Sequence, residues 1–97
     1  MLKQSNNMTR AHLFISGRVQ MVLFRASTQQ KAKKFKVKGF VKNLPDKRVE
    51  AIIEGEQENV DKLIEWCRRG PILAKVKGVE VIQEEYTGEF NKFDILY

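Results

Sequence analysis

The chain has 97 residues, 18 of them Lys or Arg against 12 Asp or Glu, for a formal net charge of +6, and 42% of it is hydrophobic. These values fit one compact core of modest size with no room for a second domain among these residues, and the charge favours an anionic partner: a phosphorylated small molecule, a nucleic acid or an acidic protein. A single cysteine, Cys67, excludes an internal disulfide, and with the lone His12 it leaves no Cys/His cluster at metal-ligand spacing.

Residues 1–10 are polar and lack the apolar run of a signal peptide, which predicts a flexible segment ahead of a domain spanning 11–97. No stretch approaches the ~18 apolar residues of a membrane span. A reducing, cytoplasmic setting is therefore expected. Residues 12–16 (HLFIS) are short, apolar and β-prone, are bounded by Gly17, and read as a first strand. From Phe24, the positions Phe24, Thr28, Ala32 and Phe35 recur at helical spacing, which predicts a first helix. Residues 37–43 and 48–54 alternate on either side of Leu44-Pro45-Asp46, as a β-hairpin does. Val60, Leu63, Ile64 and Cys67 mark the buried stripe of a second helix, stopped by Gly70-Pro71 after Arg68-Arg69. Residues 76–86 and 90–97, joined through Thr87-Gly88, read as two more strands. The order is β-α-β-β-α-β with an added C-terminal strand. Its simplest home is an α+β, ferredoxin-like sandwich with two helices on one face of an antiparallel sheet.

Two places are chemically suggestive. The stretch Gly17-Arg18-Val19-Gln20-Met21-Val22-Leu23-Phe24-Arg25 joins the first strand to the first helix, where backbone N–H groups and the helix dipole can hold an oxyanion. Arg25, in the first helical turn, could fork onto phosphate oxygens, or could be an ordinary solvated arginine. Asn43 ends the second strand, where its amide could orient a water or merely initiate the turn. His12 is expected to be a structural or edge histidine, Cys67 a buried inert thiol and Trp66 a packing residue. Lys31, Lys33, Lys34, Lys36, Lys38 and Lys42 form either a solvated basic face or a lure for anions.

The first stretch resembles the acylphosphatase signature, Gly-x-Val-Gln-Gly-Val-x-Phe-Arg, and Gly39-Phe40-Val41-Lys42-Asn43 resembles that family's second block. The likeness runs on through Arg48-Val49-Glu50-Ala51, Glu54-Gly55, Trp66-Cys67 and Gly70-Pro71 to Phe93, and so covers nearly everything after Arg10. It implies an enzyme that hydrolyses the carboxyl-phosphate bond of acyl phosphates, releasing inorganic phosphate, with no metal, cofactor or covalent phosphoenzyme. Arg25 would then bind the phosphate, and Asn43 would position the attacking water. Val19, Gln20, Met21, Val22, Leu23, Phe24 and Arg25 would form the phosphate-binding loop.

Met21 and Lys47 stand where the family pattern has glycine. If either backbone needs a positive φ, a side chain there costs about 1 to 2 kcal/mol. This leaves room for a variant that binds phosphate without turning it over. A basic ferredoxin-like nucleic-acid module is the other alternative, since Lys38-Gly39-Phe40-Val41 resembles the start of an RNA-recognition signature. That signature belongs on the third strand, and residues 48–54 hold no aromatic residue to stack a base. A monomer with a small-molecule partner, no membrane and no nucleic acid is expected.

Overall fold

The computed structural model describes residues 7–97. The elements are β1 (Met8–Arg18), α1 (Phe24–Lys34), β2 (Lys38–Asn43), β3 (Val49–Glu56), α2 (Gln57–Arg69), β4 (Lys75–Glu84) and β5 (Phe93–Leu96). They build a five-stranded sheet in the order β4-β1-β3-β2-β5. The first six elements are the expected ferredoxin-like unit, with all their strand pairs antiparallel. The added strand departs from expectation in direction: β5 pairs parallel with β2, so the sheet is mixed.

Strand β1 is longer than its apolar heart suggested. Met8–Arg10 already pair with β3, so the segment expected to be flexible through residue 10 is strand from Met8 onward; its residues 1–6 lie outside the described residues. At its other end β1 runs through Gly17 to Arg18, with a register shift against β4 between Ser16 and Gly17. Gly17 has φ 117°, and a Cβ there would lie 2.2 Å from the Lys75 carbonyl oxygen. Only glycine fits this bulge, which bends the strand into the following loop.

Alternation along β1 buries Thr9, Ala11, Leu13 and Ile15 beneath the helices and turns Arg10, His12, Phe14 and Ser16 to the open face. β3 does the same with Val49, Ala51 and Ile53. α1 covers the sheet with Phe24, Thr28 and Ala32, and α2 with Val60, Leu63, Trp66 and Cys67. The Phe24 and Trp66 rings meet at 5.6 Å between centroids. Gly70, the C-cap of α2, makes that junction possible, because a Cβ on it would sit 2.8 Å from Phe24 Cε2. Burying Phe24 contributes about 1.5 to 3 kcal/mol and anchors the start of α1. Phe35 lies just past α1 and packs against the core only in part, as Lys36 turns left-handed at φ 59° to let Val37 N–H reach the Ala32 carbonyl.

His12 lies on an interior strand, not an edge, flanked on the open face by Glu50 at 2.6 Å from Nε2 and Glu84 at 3.3 Å from Nδ1. Next to it, Glu54 is 2% exposed and accepts hydrogen bonds from Thr87 N–H and Oγ1, Gly88 N–H and Arg10 Nη1. This carboxylate catches the chain as it passes from β4 at one edge of the sheet to β5 at the other. Although burial opposes ionisation, the bonds from Thr87, then Arg10 and Gly88, hold its pKa below the ordinary glutamate value.

Candidate active site

Because β1 and β2 are each antiparallel to β3 and β5 is parallel to β2, the carboxyl ends of β1, β2 and β5 share one end of the sheet. α1 starts at that same end, directly after the loop 19–23. The topology thus gathers three strand ends and a helix N-terminus around one cavity of about 410 Å³. Val19, Met21, Leu23, Phe24, Arg25, Ala26, Asn43, Ile95 and Tyr97 line it.

The loop is pinned from below. Val19 and Val22 are buried at 1% and 4% exposure, whereas Met21 and Leu23, on either side of Val22, stand out at 99% and 71%. Both exposed residues are left-handed, with φ 62° at Met21 and 66° at Leu23. The positive φ that would make a glycine position of Met21 is therefore present. Gln20 does not line the cavity: its side chain turns to the β2–β3 connection and donates from Nε2 to the Leu44 and Arg48 carbonyls, each at 2.9 Å. Val22 is likewise a core residue rather than a wall of the cavity.

Helix α1 has no side-chain cap at Leu23 and no acidic residue in its first turn. Its leading N–H groups and the positive end of its dipole are thus not neutralised from within the helix. Arg25 sits in that turn. Its Nη1 donates to the Leu96 carbonyl at 3.1 Å, and its Cζ lies 4.7 Å from the centre of the Tyr97 ring, so the last residue of β5 and the tyrosine after it hold the guanidinium in place. Across the cavity, Asn43 ends β2 opposite Val49, and its Oδ1 is buried without a hydrogen-bond partner. The turn beyond it is closed by Lys47 at φ 78°, again a left-handed backbone at a family glycine, and by Asp46, which accepts from Arg48 N–H and Nε.

A family model described as Acylphosphatase matches residues 11–95. The chain belongs to the acylphosphatase family. An acylphosphatase of Syntrophus aciditrophicus is 51% identical over 90 residues, covering 93% of this chain and 94% of that protein. One of Chloroflexus aurantiacus is 53% identical over 91 residues, covering 94% and 99%. Among solved structures, an acylphosphatase from Coxiella burnetii superposes with a TM-score of 0.89 at 33% identity, covering 99% of this chain and all of that one.

Within this acylphosphatase the structure brings Arg25 and Asn43 to one cavity, as the motif reading required. It adds Ala26, Ile95 and Tyr97, which the motif reading did not single out; the last two arrive only through the parallel docking of β5, for which the local pattern carries no signal. Cys67 is fully buried in α2, and desolvation pushes its pKa up to about 12, so it is no nucleophile. Among the described residues no three His, Cys, Asp or Glu side chains are grouped to hold a metal ion, and no helix is long and apolar enough to cross a membrane.

Proposed function

We propose that this acylphosphatase binds the phosphoryl group of an acyl phosphate between the Arg25 guanidinium and the backbone N–H groups of the loop 19–24, and that Asn43 orients the attacking water. The observation that carries the reading is that Asn43 and Arg25, which come from different elements, line the same cavity. A water donating to Oδ1 has its lone pairs free for phosphorus. As its oxygen bonds to phosphorus, the bond from phosphorus to the acyl oxygen breaks and its electron pair leaves on the carboxylate. The proton released by the water passes to a phosphate oxygen. A carboxylate is a good leaving group, so positioning and charge stabilisation carry the reaction, and no strong general base is called for. Arg25 neutralises the equatorial oxygens with two forked donors, and α1 presents its uncapped N-terminus to the same charge.

The test is hydrolysis of benzoyl phosphate in EDTA by the protein and its Arg25→Ala and Asn43→Ala variants. Turnover in the parent, lost about 10²-fold or more in each variant, supports the assignment. Near-normal turnover in either variant removes that residue from the mechanism.

One observation favours a second reading. Met21 places a full side chain at φ 62° on the rim of the cradle, which suits a protein that holds phosphate without turnover. Thermal protection by phosphate in an inactive parent, with activity restored by Met21→Gly, would establish it.

The protein is proposed to act as a cytoplasmic monomer on a small molecule. On the open sheet face Arg10 is paired with Glu54, Glu84 and Glu89, Lys42 with Glu50 and Arg48 with Asp46, so carboxylates already compensate these three cations, which disfavours nucleic acid there.

A further inference from the structure

The cavity has two chemically distinct parts. Arg25 is the one charged residue among those lining it, and Asn43 is its amide. The rest of the lining is apolar or aromatic: Val19 and Phe24 form buried wall, while Met21, Leu23 and Tyr97 stand on the rim at 99%, 71% and 99% exposure. Large exposed hydrophobic side chains occur elsewhere on the surface, but three of them converge on this cavity. At about 410 Å³ it falls within the range of small-molecule sites, about 300 to 1,000 Å³, and has room beyond a phosphate group.

Met21 is the telling member. Its backbone is held left-handed at φ 62° and its side chain is 99% exposed, so in the free protein neither the strain nor the bare thioether is offset by packing. An apolar group seated beside Met21 would cover the thioether and part of the neighbouring rim. A charged group in the same place would lose water and find no partner.

Resting on the acylphosphatase reading above, we infer that Met21, with Leu23 and Tyr97, forms an acyl-group subsite that selects substrates with an uncharged, apolar acyl chain or ring, and that Met21 is a specificity-determining residue. A methionine adapts to acyl groups of different shape, and each methylene covered strengthens binding severalfold.

The experiment compares kcat/KM for acetyl, hexanoyl and adipoyl phosphate in the parent, Met21→Gly and Met21→Asn. The substrates carry the same phosphate, so any change a variant makes in the phosphate cradle cancels in their ratios. Glycine and asparagine both tolerate a left-handed backbone, and neither restores an apolar side chain. The parent is expected to favour hexanoyl over acetyl phosphate, and over adipoyl phosphate of equal length, by about tenfold, and both variants to reduce the hexanoyl-to-acetyl ratio about fivefold. Turnover without such preference, or a ratio that survives in either variant, overturns the subsite and leaves the acylphosphatase reading standing. Failure of all three proteins on all three substrates overturns both.

Discussion

Gln20 donates to the Leu44 carbonyl at 2.9 Å, and so ties the loop after β1 to the residue that follows Asn43. The same Nε2 reaches the Arg48 carbonyl on the far side of the turn. Arg25 and Asn43 belong to different elements, and this amide is a direct link between the loop that leads to one and the turn that follows the other. Replacing Gln20 with alanine removes both bonds and is expected to cost about 1 to 3 kcal/mol of stability, read from urea denaturation. It should also lower kcat about tenfold through misplacement of the water-orienting amide. Unchanged kcat in a destabilised variant would reduce Gln20 to a purely structural tie.

Arg25→Lys keeps the charge and loses the fork and the guanidinium's contact with the Tyr97 ring. We expect kcat/KM to fall about 10²-fold, while stability changes by no more than about 1 kcal/mol. Steady-state kinetics beside a thermal melt separate the two effects.

Met21 and Lys47 both hold left-handed backbone, at φ 62° and 78°. Relief of about 1 to 2 kcal/mol of strain by glycine is partly cancelled by the greater freedom glycine gives the unfolded chain, about 0.4 to 1 kcal/mol. Each substitution is expected to stabilise the protein by roughly 0.5 to 1 kcal/mol in urea titrations. Lys47 does not line the cavity, so Lys47→Gly should leave turnover as it is.

The Glu54 carboxylate holds Thr87, Gly88 and Arg10, and its folded pKa lies below the unfolded value. The unfolded chain therefore binds more protons in the interval between the two pKa values, and stability rises with pH there. This contribution is fully present above the ordinary glutamate pKa of about 4.3 and is lost as pH falls through the lower folded value. Glu54→Gln is expected to flatten the acid limb of the stability curve and to lower stability at neutral pH. Denaturation midpoints measured from pH 3 to 7 check this, and an acid limb as steep as the parent's would contradict it.

Much of this acylphosphatase is legible one segment at a time. The alternation of β1 and β3, the stripe of Val60, Leu63 and Cys67 and the stop at Gly70 are local patterns, because burial on a strand or helix face repeats every two or 3.6 residues. Arg25 and Asn43 stand out through the two short blocks that contain them. What no local pattern carries is the partner of a strand. The last strand was readable as β, but its parallel seat beside β2 depends on Glu54 catching Thr87 and on Val41 meeting Ile95, and only that seat brings Tyr97 over Arg25. The same holds for the Gln20 side chain, whose acceptors are carbonyls of another hairpin, and for the sign of φ at Met21. That backbone is set by buried Val19 and Val22 on either side, and the packing that buries them exists only in the folded chain.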